Sequence, residues 1–392
     1  MRRQNLALVM RTVAAAYPLS RADVAGRTGL TRTAVSSLVD ELIGGGLLLE
    51  GELERSGRVG RPGRALVLND AGPAGLGLEI GVEHLAACVT DLRGEVRVEL
   101  HRPAPNHLRP VGETLTDLAD LAAQAEREAV ALGLRIVGRV LAVPGSVHGA
   151  ADGPGELVEH APNLGWHGVR IADDWPGPGA APAVENEANL GALAELWQGS
   201  ASGTFLHVSA ADGIGGALVL DGRLFRGVQG FAGELGHLPV RPDGRECGCG
   251  ARGCLEQYAG LAAVLREAKL SDAPSGEDPV AALAGRAAGG DADTLEALRQ
   301  AGTALGTALT AAVNLIDPAA LVLGGAYADL AEWLLPAMRT ELAARVRVRP
   351  WPERALVASP LARRGPVLGA ALTTVRHLHT DPAALWLPAT TP

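Results

Sequence analysis

Three of the four cysteines in the 392-residue chain stand within eight residues of one another. They are Cys247, Cys249 and Cys254, in the stretch "GHLPVRPDGRECGCGARGCLEQ", and His237 precedes the first by ten residues. One imidazole and three thiols form a complete tetrahedral donor set of the kind zinc takes. Cys-x-Cys followed by Gly-x-x-Gly-Cys lets a glycine-rich backbone wrap around an ion. Four cysteines are too few for a secreted disulfide framework in a chain this long. The other readings of the cluster are redox cysteines or chance. The fourth cysteine, Cys88, lies in an apolar run and reads as a small buried hydrophobe.

The chain is long enough for two or three cores. Its apolar fraction of 47% and charged fraction of 20% are those of an ordinary globular protein. No stretch of about 20 apolar residues is free of charge, so no membrane span is expected. The start "MRRQNLALVMRTVAAAYPLS" imitates a signal peptide, but Arg11 interrupts it and the pattern continues as an amphipathic helix. A cytoplasmic location is the expectation.

Charge is unevenly spread. Residues 1–70 hold ten arginines against seven acids, a net of +3, and the remainder has a net of −12. That suits an N-terminus meeting a polyanion on an acidic body. "NLALVMRTVAAAY" has helical spacing and ends at Pro18. Ser20 is an N-cap for a second helix, with Asp23 completing a capping box. Gly29 breaks the chain, Leu30 plugs the turn, and "TRTAVSSLVDELIGGG" forms a third helix. Its apolar face is Val35, Leu38, Val39 and Leu42. Its opposite face offers Thr31, Arg32, Thr33, Ser36 and Ser37, short donors and a guanidinium suited to phosphates and base edges. "LLLEGEL" and "RALVLND" alternate as a hairpin around a loop with Arg55, Arg58 and Arg61, and Arg64 opens the return strand. This is the pattern of a winged helix-turn-helix over residues 1–70, expected to bind operator DNA. A three-helix interaction domain is the plainer alternative.

Beyond residue 71, "GLGLEIGVEHLAACVTDLRGEVRVEL" reads as two strands turning at "DLRGE", and "VGETLTDLADLAAQAEREAVALG" as a helix. "TFLHVSAADGIGGALVLDGRLFRG" reads as a second hairpin turning at Asp221-Gly222. Two hairpin-led α/β halves imply two lobes with a ligand cleft between them. The first is expected over 71–190, joined by a C-terminal helix at 365–380, and the second over 191–364 with the cysteine loop.

The segments "APNLGW", "VENEANLGALAE", "GIGGALVLDGRLFRGVQGFAGELGH", "CGCGARGCLE" and "NLIDPAALVLGG" resemble the ROK family of repressors, open reading frames and sugar kinases. With the N-terminal winged helix, the chain is similar to that family's repressor branch, which includes regulators of xylose and N-acetylglucosamine use. The resemblance implies an α/β fold of the two-lobed actin-like (ribonuclease-H-like) sugar kinase type. It implies structural zinc on His237, Cys247, Cys249 and Cys254, and a homodimer or tetramer. It also implies a monosaccharide pocket built from Gly145, Asn163, Asn186, Glu187, Glu234, His237 and Glu256. His237 would then turn one ring nitrogen to zinc and the other to a sugar hydroxyl.

The kinases of that family open with Asp-x-Gly-Gly-Thr. Here the place reads Glu79, Ile80, Gly81, Val82, Glu83, His84, and the second phosphate loop reads Ala211, Asp212, Gly213. Glu187 stands at the base position, one methylene longer than the kinases' Asp. Both phosphate loops are altered while the sugar side is kept, so no catalytic residue is expected. The reading is a sugar-responsive repressor. The alternatives are an active sugar kinase with an added DNA-binding domain, and a repressor controlled by a protein partner.

Overall fold

The computed structural model describes residues 1–52, 64–149, 153–177, 179–211, 213–270 and 278–386. The N-terminal unit has helices α1 (Arg2–Ala16), α2 (Arg21–Thr28) and α3 (Arg32–Gly44), then strands β1 (Leu48–Glu52) and β2 (Arg64–Leu68). The Ser20 side chain accepts from the Asp23 N–H while the Asp23 carboxylate accepts from the Ser20 N–H, so α2 starts in a full capping box. Gly29 ends α2 at φ 72°, in the left-handed region that only glycine enters without strain. Val35, Leu38, Val39 and Leu42 are buried on α3, as the apolar spacing predicts. β1 and β2 pair antiparallel from Leu48↔Leu68 to Glu52↔Arg64, which makes the stem of a wing. The wing tip, with Arg55, Arg58 and Arg61, lies outside the described residues.

The first lobe contains β3 (Pro73–Ile80), β4 (His84–Thr90), β5 (Val96–Pro103), α4 (Val111–Ala131), β6 (Arg135–Val143), β7 (Ser146–Gly149), β8 (Gly155–Ala161), β9 (Trp166–Arg170), the single turn α5 (Ile171–Asp174) and β10 (Ala183–Asn186). Its sheet runs β5-β4-β3-β6-β10-β8-β7, with β9 on β8. Helix α6 (Glu187–Gln198) leads to the second lobe. There β11 (Phe205–Ala210), β12 (Ile214–Leu220) and β13 (Arg223–Phe225) precede α7 (Glu256–Ala259), α8 (Leu261–Glu267), α9 (Pro279–Ala288) and α10 (Ala292–Ile316). β14 (Ala320–Gly325), α11 (Ala326–Asp329), α12 (Ala331–Arg345) and β15 (Leu356–Ala358) complete it, and α13 (Gly365–Thr380) follows. The second sheet runs β13-β12-β11-β14-β15.

Each lobe therefore opens with three antiparallel strands, where the sequence pattern suggests two. In the first lobe the added reversal falls at Gly81–Glu83, where the Gly81 N–H donates to the His84 carbonyl at 2.9 Å. The buried Asn106 amide donates to the carbonyls of Gly81 and His84 at 2.8 and 3.1 Å. A turn fixed from 25 residues away leaves no local turn signature. The second lobe reverses between Ala210 and Ile214 as well as at Asp221-Gly222.

Helix α13 packs on the first sheet. Val367, Leu368, Ala371 and Leu372 cluster with Ala86, Cys88 and Ala194. Burial pushes the Cys88 thiol up to about 12, so it behaves as a hydrophobe. The far end of α13 enters the core of the N-terminal unit: Val375, Leu378 and Leu92 pack with Leu6, Val9, Met10 and Leu38. Arg3 pairs with Asp381, with Nε 2.7 Å from Oδ1. Arg93 donates to the Leu68 carbonyl at 3.1 and 3.3 Å, and Arg97 to the Asp70 carbonyl at 2.7 Å. The winged helix is thus packed onto the first lobe through a shared apolar core. Leu378→Ala is expected to cost about 2–5 kcal/mol and to loosen both units together. Calorimetry should show one shifted transition, and an unshifted first-lobe transition would contradict the shared core.

Candidate ligand cavity, metal loop and nucleic-acid face

A cavity of about 560 Å³ lies between the lobes. All seven residues expected to read a ligand line it: Gly145, Asn163, Asn186, Glu187, Glu234, His237 and Glu256. The first four come from strand ends, turns and a helix start around the first sheet. The last three flank the cysteine loop of the second lobe.

The local chemistry explains the placement. Asn186 is the N-cap of α6, its Oδ1 accepting from the N–H groups of Ala188 and Asn189 at 2.9 and 3.1 Å. Its Nδ2 donates to the Gly145 carbonyl at 2.8 Å, so the same side chain ties the β6–β7 turn to the helix. Gly145 sits at φ 148°, and a Cβ there would collide with the His160 carbonyl. Only glycine meets both demands. Asn163 lies in the turn Pro162–Leu164, where His107 Nδ1 stands 2.8 Å from its carbonyl oxygen. Glu234 follows Gly233, whose φ is 104°. Glu256 opens α7, and its Oε2 accepts weakly from the Ile214 N–H at 3.4 Å. The cavity wall is therefore rich in acceptors and amides, the groups that hold vicinal hydroxyls.

Glu185 and Arg226 are among the wall residues that escape sequence reading. Glu185 is buried on β10, and Arg226, which follows β13, donates to its Oε2 from Nη2 at 2.6 Å and Nε at 3.1 Å. The partners lie 41 residues apart, and no local pattern joins them.

In the cysteine loop the donor atoms of His237, Cys247, Cys249 and Cys254 all lie within 4.8 Å of one another. Cys249 and Cys254 Sγ are 3.8 Å apart, and Cys247 Sγ is 3.8 Å from His237 Nδ1. With metal–sulfur bonds of about 2.3 Å, a tetrahedron has edges of about 3.8 Å. The donor set therefore fits a four-coordinate ion with no open position. Burial and then the neighbouring sulfurs push the Cys254 thiol up to about 12, a repulsion a divalent cation would relieve. The Ala251 N–H holds Cys249 below the usual thiol range. His237 Nδ1 faces the sulfurs, and its Nε2 is 3.8 Å from Glu234 Oε2.

The β3–β4 turn differs from an open phosphate cradle. The His84 ring lies where a side chain at Gly81 would stand. His84 Nε2 is 3.4 Å from the buried Glu79 carboxylate, and its ring stacks on His101 with centroids 5.0 Å apart. Glu83 is exposed. Asp212 lies outside the described residues. The chain's one lysine, Lys269, pairs with Asp293 at 2.7 Å, and neither residue lines the cavity.

On α3, Thr31, Arg32, Thr33 and Ser37 are exposed or partly so, and Ser36 is half-buried. The Thr31 hydroxyl caps the helix by accepting from the Ala34 N–H at 3.2 Å. Arg21 braces α2 against its neighbours: it pairs with Asp40 at 2.7 Å and Glu50 at 2.6 Å, and donates to the Ser36 carbonyl at 3.1 Å. Arg64, at the base of the wing, is 78% exposed on its side chain and lies 3.5 Å from the Glu50 carboxylate. That loose surface pair leaves it able to turn to a phosphate. Arg58 and Arg61 lie outside the described residues.

A winged helix-turn-helix fused to a two-lobed α/β body with an interlobe cavity defines the class of protein. The ROK family profile matches residues 75–376, and the chain belongs to that family. It is 29% identical over 379 residues to the xylose repressor of Bacillus subtilis, covering 95% of each chain. Among solved structures it matches a ROK family transcriptional regulator described as a homologue of the E. coli Mlc protein, with a TM-score of 0.79, 24% identity and 98% of each chain covered. It also matches a ROK family glucokinase from Streptomyces griseus in complex with glucose and AMPPNP, with a TM-score of 0.64 and 27% identity. That match covers 76% of this chain and 98% of the kinase. The expected fold class therefore holds: the body is of the actin-like sugar kinase type.

Replacing Gly145 tests the cavity geometry. Gly145→Ala adds backbone strain of about 1–3 kcal/mol and pushes the turn off Asn186. A lowered melting temperature is expected, and an unchanged one would show that the turn relaxes freely.

Proposed function

We propose that the protein is a sugar-responsive transcriptional repressor. Its winged helix-turn-helix binds operator DNA, its interlobe cavity takes a monosaccharide or derivative as effector, and a structural Zn²⁺ holds the loop between Glu234 and Glu256. The observation that carries this reading is one cavity lined by the seven expected residues in a chain whose additional N-terminal unit is a winged helix. The similarity to the xylose repressor over 95% of both chains supports it. A reader of chromosomal operators works in the cytoplasm, where thiols remain free to bind metal. A two-fold dimer would match a palindromic operator.

A sugar kinase carrying a DNA-binding domain is the competing reading, since ROK glucokinases are also related. Phosphoryl transfer needs a phosphate cradle and compensating positive charge. Here the His84 ring packs over Gly81, Glu83 adds negative charge, and no lysine lines the cavity.

The zinc is structural because four protein donors leave no position for water or substrate. The purified protein should contain about one zinc per chain, the stoichiometry of a four-donor site. Cys249→Ser should lose the ion and weaken effector binding, because the loop carrying Glu256 loosens. Metal analysis and titration calorimetry check this, and normal effector binding by metal-free protein would count against it.

Operator binding and catalysis can be separated in one series. A thermal-shift screen against D-xylose, D-glucose and N-acetyl-D-glucosamine should yield a ligand that raises the melting temperature. Arg32→Ala should weaken operator binding by about 1–3 kcal/mol without altering that shift. With ATP and magnesium, sugar phosphate should stay at background. Turnover at about 1 per second or faster would favour the kinase reading.

A further inference from the structure

Arg226 reaches across the cavity from the second lobe to the first. Its Nε and Nη2 both donate to Glu185 Oε2, and the two side chains are only 15% and 6% exposed. The other oxygen, Oε1, accepts from the Asn186 N–H at 3.0 Å and from Asn189 Nδ2 at 2.9 Å. Glu185 is therefore a saturated buried carboxylate at the foot of α6, directly beside the cap that Asn186 provides. Beyond Arg226 the backbone turns repeatedly on glycines: Gly227, Gly230 and Gly233 have φ of 74°, 86° and 104°. Arg226 is the fixed root of a glycine-jointed segment that ends at Glu234.

A buried ion pair stabilises little in net terms, because desolvation offsets the attraction. What it supplies is registry: two groups on separate bodies meet in one geometry or leave a costly unpaired charge. We propose that Arg226 is a positioning residue of the effector site. Its pair with Glu185 sets the interlobe spacing at which Asn163, Asn186 and Glu187 of one wall and Glu234, His237 and Glu256 of the other can hold the same sugar. This rests on the reading of the cavity as a sugar site. Without the guanidinium a buried carboxylate is left unpaired, free to move off the Asn186 N–H, and the segment from 227 to 234 loses its root.

The test uses the full-length, metal-loaded protein with Arg226→Gln, Arg226→Lys and the double change Glu185→Gln/Arg226→Gln. Hydrogen exchange is followed by mass spectrometry without sugar, and calorimetry follows titration with D-xylose, D-glucose and N-acetyl-D-glucosamine. Arg226→Gln is expected to speed amide exchange in residues 185–189 and 226–237. It should also weaken the sugar that wild type binds by about tenfold or more, within the usual range of coupling between sites. Arg226→Lys should recover part of both effects, since the charge remains while the second donor is lost. If Arg226→Gln folds poorly, the double variant, which leaves no buried charge unpaired, carries the same comparison. Unchanged exchange in both segments would overturn the proposal. Faster exchange with undiminished sugar affinity would overturn it too, because the pair would then brace the fold and not the site. If wild type binds none of the three sugars, the sugar reading suffers, and the exchange measurements still decide whether the pair holds the two walls.

Discussion

The start of α6 is the point on which the cavity depends. The Asn186 side chain caps the helix through Oδ1 and holds the Gly145 carbonyl through Nδ2. The helix it starts is shared by both lobes. Ala188 and Ala192 pack with Phe205, Ala217 and Val322 of the second lobe, while Leu190 and Leu193 pack with Val140, Ala142 and Ala370 on the first-lobe side. Close approach is achieved with glycines: a Cβ at Gly369 would collide with the Leu190 carbonyl, and one at Gly191 would crowd the buried His207 ring. A cap, a turn and an interlobe helix are thus a single mechanical unit, and the cavity wall follows from it.

Electrostatics on the two sides of the body differ in kind. At the cavity, acceptors are arranged with room for a polar ligand, and the buried carboxylate of Glu185 is matched by Arg226. At the β3–β4 turn the groups satisfy one another. His84 lies between Glu79 and His101, and burial together with the charge of His84 pushes the His101 pKa down. A ligand phosphate there would have to displace an imidazole packed on the turn. The two places differ in whether the space is already filled: the cavity is open, and the His84 ring occupies the turn.

The N-terminal unit is joined to the body by packing as well as by sequence. Leu92, Val375 and Leu378 lie in the same apolar cluster as Val9, Met10 and Leu38. His379 is buried beside them, its Nε2 3.0 Å from the Leu92 carbonyl. Burial pushes its pKa down to about 4, which keeps it neutral at physiological pH. Helix α13 therefore touches α6 along its first turns and the winged helix along its last. A change in lobe spacing has a contiguous packed path to the N-terminal unit.

Local chemistry was legible in the sequence by itself. The capping box at Ser20 and Asp23, the buried face of α3, the glycine stop at Gly29 and the four clustered donors each depend on residues close in the chain. The resemblance of several separated motifs to one family was legible as well, and with it the two-lobed body and the seven cavity residues. Tertiary structure alone decided the rest. The reversal at Gly81–Glu83 is held by Asn106, Glu185 finds Arg226 across the cavity, and α13 enters the core of the N-terminal unit. The physical reason is common to all three. Their partners are remote in sequence, and a pattern read along the chain records periodicity and local caps but not which distant groups burial will force together.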